Sequence, residues 1–349
     1  HIIFGGPSGL TTTTQFWHQD AGLADTREDY DTFGAALAAG DFDNDGYDDL
    51  AIGIPEEDIG AIADAGAVNI LYGSSVGLTS LANQFMDQSN GLILDLAETD
   101  DNYGASLAAG DFNGDTYCDL AIGVPNENVG ADDGAGAVNV LYGTVNGLSV
   151  IGNELWHQDR AGVDSSARPG ENFGFALAAG NFNGDTYCDL AIGVPKDDYQ
   201  GTDDGAVHLL YGDSGGLQTG PNDYRAIAML PGYSHDDYDE FGQALAAGDF
   251  DQNGCDDLAV GCPYRDYGAV GNAGLCVILY CASSGPNGTV TVWNLGDLAG
   301  LIPGQSEHFG QALTAGDFNA DGIDDLAIGA PRELVGTTAR AGAVYVAHG

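Results

Sequence analysis

Apolar and polar positions in this chain alternate in short runs, not at helical spacing. Runs such as AVNILYG from Ala67 and DLAIGV from Asp119 are rich in Val, Ile, Leu and Tyr and are bounded by Gly, Asp and Pro, the pattern of β-strands. They are too short, and too often broken by Gly, to be helices. One segment recurs five times: FGAALAAGDFDNDGYDDLAIGIP from Phe33, YGASLAAGDFNGDTYCDLAIGVP from Tyr103, FGFALAAGNFNGDTYCDLAIGVP from Phe173, FGQALAAGDFDQNGCDDLAVGCP from Phe241 and FGQALTAGDFNADGIDDLAIGAP from Phe309. The starts are 70, 70, 68 and 68 residues apart.

Each repeat predicts four strands. LAAGDF enters an acidic turn and returns as DLAIGVP, AVNVLYG forms the third strand, and segments such as QFWHQD (Gln15–Asp20) and ELWHQD (Glu154–Asp159) form the fourth. Four short antiparallel strands at a period of tens of residues predict an all-β fold, a β-propeller of five blades. The small residues of LAAG suit the inner strand, where blades crowd together. A chain of 349 residues would ordinarily suggest two or three domains, but the repeat predicts a single domain over residues 1–349. His1–Gly6 (HIIFGG) resembles a third strand and Gln15–Asp20 a fourth, whereas the chain stops at Gly349 after a third strand. Residues 1–20 are therefore expected to complete the last blade and seal the ring without an open edge. Ile2–Phe4 then duplicates part of a third strand, either as an edge-packed leftover or for exchange with a neighbouring molecule.

Composition narrows the function. The chain holds 8 Lys plus Arg against 53 Asp plus Glu, a formal net charge of -45, which excludes nucleic acid as a partner and disfavours an anionic membrane surface. No stretch approaches the roughly 20 apolar residues of a membrane-spanning helix, so no membrane insertion is expected. Hydrophobic residues make up 44% of the chain, too many for acidic disorder. The start at His1 fits a removed leader or a longer product.

The acidity concentrates in the turns. In the first repeat, Asp41, Asp43 and Asp45 occupy positions one, three and five, Tyr47 offers a carbonyl at seven, and Asp49 a carboxylate at nine; Gly46 permits the bend. Such a cage of hard oxygens suits Ca²⁺ better than Mg²⁺, which holds a tighter octahedron and keeps its waters. A metal-free Asx turn is the plainer alternative. Five such turns in register argue against it, because uncompensated carboxylates packed together repel.

The pairs Phe33-Gly34, Phe173-Gly174, Phe241-Gly242 and Phe309-Gly310, with GIP, GVP, GCP or GAP closing the second strand, resemble the FG-GAP repeat of integrin α subunits and related secreted proteins. The resemblance covers nearly the whole chain and implies structural calcium at the matching turn positions. These are Asp41, Asp43, Asp45, Tyr47 and Asp49, then Asp111, Asn113, Asp115, Tyr117 and Asp119, then Asn181, Asn183, Asp185, Tyr187 and Asp189. The last two sets are Asp249, Asp251, Asn253, Cys255 and Asp257, and Asp317, Asn319, Asp321, Ile323 and Asp325, with the seventh position always a carbonyl. Integrin propellers have seven blades, so blade number is not carried over. Side-chain Asp ligands number 4, 3, 2, 3 and 3 from the first site to the fifth, which ranks the first site tightest and the third weakest.

Cys255, Cys262, Cys276 and Cys281 fall in the fourth repeat. Facing residues of an antiparallel pair have a constant index sum, and Cys255 with Cys281 or Cys262 with Cys276 come close to one register. Two disulfides are expected, against the alternative of four reduced thiols. Cys118 and Cys188 lie at equivalent places in adjacent blades, too far apart to bond each other. Disulfides would indicate an oxidising compartment, and Asn287-Gly288-Thr289 is a glycosylation sequon in an expected loop.

These features predict an extracellular, secreted or cell-surface module for adhesion or ligand recognition, with a protein or glycan partner. The alternative is a structural subunit of an extracellular filament or surface layer, joined head-to-tail to copies of itself. No catalytic constellation stands out: His18 and His157 belong to the repeated WHQ segments. The binding surface is expected in the variable segments 56–65, 126–135, 196–204, 264–273 and 332–341, opposite the acidic turns.

Overall fold

A computed structural model describes residues 1–6, 9–24, 26–218, 223–230, 237–299 and 304–349. Strand dominates, and the fold is a five-bladed β-propeller. Blade 1 consists of Leu37–Gly40, Asp49–Ile54, Ala67–Tyr72 and Thr79–Met86, and blade 2 of Ser106–Gly110, Asp119–Val124, Ala137–Tyr142 and Ser149–Trp156. Blade 3 runs through Ala176–Gly180, Asp189–Val194, Ala206–Leu210 and Asp223–Ala226, and blade 4 through Ala244–Gly248, Asp257–Cys262, Leu275–Ala282 and Gly285–Trp293. Blade 5 has three strands among the described residues, Ala312–Gly316, Asp325–Ala330 and Ala343–Ala347. Contacts gather the chain into two compact units. One is His1–Ala109, Thr116–Ile122 and Asn139–Leu155; the other is Gly110–Asp115, Gly123–Val138 and Trp156–Gly349.

The core lies between consecutive blades. One buried cluster joins Phe182, Val207 and Leu209 of the third repeat to Phe241, Leu258 and Val277 of the fourth; another joins Ile278 of the fourth to Phe309 and Ile328 of the fifth. The repeated Phe-Gly and Gly-x-Pro pairs make this packing possible. Tyr103, Phe173, Phe241 and Phe309 are fully buried. Each forms a parallel bridge to a glycine of the preceding repeat, respectively Gly66, Gly136, Gly205 and Gly274. The next residue, Gly104 or Gly242, holds φ near +90° to +100° and places its carbonyl against the second strand of the blade before. A methyl group on Gly53 would lie 2.1 Å from the Gly104 oxygen, and one on Gly193 or Gly261 equally close to Gly242 or Gly310. No side chain fits there.

Three expectations change. Ile2–Gly6 pairs with Gly9–Gln15, so the second strand of the N-terminal pair precedes the segment Gln15–Asp20 instead of lying on it. The Gln15 amide donates to the Leu78 carbonyl at 2.9 Å and accepts from the Leu78 N–H at 3.0 Å. Gln84 of blade 1 makes the same two bonds to Leu148. The hairpin thus stands beside blade 1 as an outer strand pair. Second, the Trp-His-Gln segments mark the end of the fourth strand, not its body: the strand closes at Trp156, and His157 and Gln158 follow it.

Third, no disulfide forms among the described residues. Gly261 faces Cys276, and Cys262 faces Leu275. Cys262 and Cys276 are therefore offset by one residue and point to opposite faces of the sheet, into the two different clusters. Cys255 is directed at Gly184 of the preceding repeat, and the Cys281 thiol lies 3.7 Å from the Leu279 carbonyl. Burial pushes all four thiols above their usual range. A raised thiol favours the protonated form, the poorer nucleophile.

Gly193→Ala should destabilise the protein by at least about 2 kcal/mol, since the methyl meets backbone that cannot yield. Gly60→Ala, where a methyl meets open space, should cost about 1 kcal/mol through its positive φ alone. Equilibrium urea unfolding of the two variants checks the contrast.

Candidate functional site

The acidic turns all join the first strand of a blade to the second. In the first, Asp41 accepts from the backbone N–H groups of Asp45 at 3.0 Å and Gly46 at 2.9 Å, Asp43 from Asp45 at 3.2 Å, and Asp45 from Tyr47 at 2.9 Å. The fourth repeats this: Asp249 accepts from Asn253 at 2.9 Å and Gly254 at 2.9 Å, Asp251 from Asn253 at 3.1 Å, and Asn253 from Cys255 at 2.8 Å. Carboxylate oxygens of Asp41, Asp43 and Asp49 all lie within 4.8 Å of one another, as do those of Asp249, Asp251 and Asp257. Burial, then the charges of Asp45 and Asp41, holds the Asp43 carboxyl above its usual range. Converging oxygens that raise one another's pKa fit a divalent cation, which supplies the charge the turn lacks.

The other turns differ. In the second, Asp111 accepts from Gly114 at 2.7 Å and Asp115 at 3.1 Å, and the Asn113 amide reaches Asp115 at 3.2 Å. In the third, the Asn181 amide donates to the Asp185 carbonyl at 2.8 Å and the Asn183 amide to the Asp185 carboxylate at 3.0 Å. The Asn181 side-chain oxygen is buried without a partner. In the fifth, Asp317 accepts from Asp321 and Gly322 at 3.1 and 2.9 Å, and Asp321 from Ile323 at 3.0 Å. His348 Nδ1 lies 3.0 Å from Asp325. Blades 1 to 4 carry Tyr at that point of the third strand, so His348 could have been noticed as the departure.

The ninth-position aspartates also brace the blade. Asp49 accepts from Phe42 at 2.8 Å and from Gly73 at 2.7 Å; Asp189 does the same with Phe182 and Gly212, and Asp257 with Phe250 and Cys281. Asp119 accepts from Gly143 at 2.9 Å, and Asp325 from Phe318 and Gly349 at 3.0 and 3.1 Å. One carboxylate thus ties the acidic turn to the end of the third strand. Position eight links blades: the N–H of Cys118, Cys188, Asp256 or Asp324 donates to the carbonyl of Asp41, Asp111, Asn181 or Asp249 in the repeat before. Cys118 and Cys188 pack against Gly40 and Gly110, a contact that suits a small side chain.

At the opposite end of the blades, the segments after the second strand are ordered. Tight turns close them by bridges between Ile59 and Ile62, Val129 and Asp132, Tyr267 and Val270, and Val335 and Thr338. Beneath lies a repeated acidic feature that sequence reading missed. Glu171, two residues before Phe173, is buried beside Asp197, two residues after Pro195, and burial followed by the Asp197 charge pushes it up to about 7. In blade 4 the second acid is replaced by Arg265, which bonds Asp239 at 2.5 Å. Gln158 of the Trp-His-Gln segment donates to Asp197 at 3.1 Å, and Gln19 to Glu57 at 2.8 Å. The sequon residue Asn287 is exposed on the outer strand of blade 4, not in a loop.

A propeller whose hairpin turns gather acidic residues, and whose blades interlock through Phe-Gly and Gly-x-Pro pairs, defines a class of repeat protein. The FG-GAP repeat profile matches residues 33–71, 103–141, 173–210, 241–293 and 309–347, and the chain belongs to the FG-GAP repeat family. It is 30% identical to integrin alpha pat-2 of Caenorhabditis briggsae over 254 residues, 67% of this chain and 18% of that protein. It is 34% identical to integrin alpha-V of Gallus gallus over 243 residues, 67% of this chain and 20% of the relative. Phosphatidylinositol-glycan-specific phospholipase D of Bos taurus is 32% identical over 187 residues, 53% of this chain and 21% of the enzyme. The chain spans about a fifth of the length of these relatives. Among the described residues no helix is long and apolar enough to cross a membrane.

Burial raises Asp49 to about 6 and Asp189 and Asp257 to about 7. A carboxyl raised above its unfolded value of about 3.9 contributes stability that is complete at low pH and is lost as pH climbs through its folded value. With chelator present, the melting temperature should therefore fall as pH rises from 5 to 8. The fall should be smaller in Asp189→Asn, as followed by circular dichroism.

Proposed function

We propose that residues 1–349 form a calcium-stabilised β-propeller domain that works outside the cytosol as an adhesion or ligand-recognition module, without a catalytic role of its own. The observation that carries this reading is the division within each blade. One end gathers carboxylates into a near-uniform turn, as at Asp41, Asp43 and Asp49; the other presents ordered segments of differing sequence. Asp41, Asp43, Asp45, the Tyr47 carbonyl and Asp49 would hold the first ion, and the matching residues of the other turns the rest. Bound Ca²⁺ supplies positive charge to carboxylates that otherwise repel, and stabilises the fold by linkage.

The integrin alpha relatives support the adhesion reading and a cell-surface setting. The phospholipase D relative bears the name of an enzyme, but this chain spans about a fifth of it. No part of the extracellular reading rests on disulfides. A net charge of -45 directs the module to neutral or basic ligands.

Saturating calcium should raise the melting temperature of chelated protein by at least about 5 °C, given about 2.7 kcal/mol for each site at a hundredfold excess over its Kd. Asp43→Ala should remove one ion from the bound count. Arrays of extracellular-matrix proteins and glycans should then reveal calcium-dependent binding. No thermal response to calcium, together with silent arrays, would overturn the reading.

Head-to-tail assembly is the second reading. Val344 on the last strand is 69% exposed, whereas Val68, Val138 and Val207 at the same place are buried. A calcium-dependent polymer in size-exclusion chromatography with light scattering would favour it; a monomer would dismiss it.

A further inference from the structure

We propose that a cavity at the connecting-segment end of blade 3 binds a neutral carbohydrate, the ligand of the recognition role on whose general reading this inference rests. The cavity has a volume of about 490 Å³ and is lined by Tyr199, Tyr224, Asp197, Arg168, Ser165 and Ser166, with Met229 at its edge. That volume lies in the range of small-ligand pockets.

The cavity opens where the fourth strand of blade 3 meets the segment after its second strand. Among the described residues its fourth strand covers Asp223–Ala226. A turn of 3-10 helix, Ile227–Met229, follows it. Residues 195–205 close differently from their counterparts: the N–H groups of Tyr199 and Gln200 bond the Asp204 carboxylate at 3.0 and 3.2 Å. Tyr199 remains 40% exposed at the rim, its ring centroid 5.7 Å from that of Tyr224. The counterparts of Tyr199 in repeats 1, 2 and 5 are Ile59, Val129 and Val335.

The floor is rigid. Tyr224 donates to Asp197 at 2.8 Å, Gln158 donates to the other Asp197 oxygen at 3.1 Å, and Ser165 lies 3.5 Å from it. Behind Tyr224, fully buried His208 packs edge-on at 4.9 Å, with Phe173 beyond it at 5.4 Å. Gln158, 1% exposed, keeps its amide oxygen without a partner.

Charge selects the ligand class. Arg168 reaches the Asp198 carbonyl at 2.9 Å and lies 3.6 Å from Glu171, while its half-exposed guanidinium keeps further N–H groups for the cavity. Its positive charge opposes a basic side chain. Asp197 and the acidic surface oppose an anion. What remains is a neutral molecule with one apolar face and several hydroxyls. The tyrosine rings offer an apolar surface with a polar tip, and Arg168 and the two serines offer donors and acceptors to a sugar's hydroxyls, while Asp197 beneath holds Tyr224 and Ser165 in place.

The test uses the full chain, calcium-loaded, titrated by ligand-observed NMR with methyl α-mannoside, methyl β-galactoside and methyl β-glucoside, and with 3′-sialyllactose and a hexa-arginine peptide as controls. At least one neutral glycoside should bind with a Kd of about 10 mM or tighter. Tyr199→Ala should weaken it about tenfold without changing the melting temperature, and Arg168→Gln should weaken it as well, which covers a failure of either variant to fold. Neutral-sugar binding untouched by both variants would overturn the cavity assignment and leave the recognition role standing. Preference for sialyllactose or the peptide would overturn the ligand class. No binding of any probe here, with matrix-protein binding intact on the arrays, would overturn this inference alone.

Discussion

Close approach of backbone to backbone between consecutive repeats is the constraint on which the rest depends. The second strand of one blade and the Phe-Gly step of the next come so near that Gly53, Gly193 and Gly261 have no room for a methyl group. Because the backbones touch, Tyr103, Phe173, Phe241 and Phe309 can sink fully into the seam, and hydrophobic burial supplies the cohesion between those blades. The small residues of the inner strands, and Cys118 and Cys188 against Gly40 and Gly110, follow from the same crowding. A bulky residue anywhere along that seam would push two blades apart.

With the blades drawn close, their hairpin turns become structural parts and not loose ends. The ninth aspartate of each turn bonds the end of the third strand, and the eighth N–H reaches the turn of the preceding repeat. A carboxylate that already accepts two backbone hydrogen bonds is held in one orientation. The turn's remaining acids converge on it in the first and fourth repeats. In the third, asparagine amides satisfy the oxygens from within the chain. The same scaffold therefore presents turns with unequal internal hydrogen bonding.

The other end of the blades solves a different problem with the same residue type. Acids flank the Phe-Gly step and the Gly-x-Pro corner, buried and held by amides, by a tyrosine, or in blade 4 by Arg265. Variation at that end costs little, because the connecting segments are anchored by short bridges below and project outward above. In blade 3, Tyr199 and Tyr224 face a cavity at this end.

The sequence by itself determined the repeat, its strand content, the blade count and the turns in which acids would gather. These depend on local chemistry: short apolar runs, glycine at forced turns and Asp at fixed offsets recur whatever the surroundings. The tertiary structure decided matters that depend on register and on neighbours. The facing of Gly261 with Cys276 separated two cysteines whose numbers nearly matched, because one residue of slip reverses a side chain's face. The docking of the hairpin through Gln15 on Leu78 is a bond across 63 positions that no local pattern announces. The buried acids, the bracing aspartates and the blade 3 cavity were equally hidden, since each is made by residues far apart in the chain that meet only when neighbouring strands and blades close on one another.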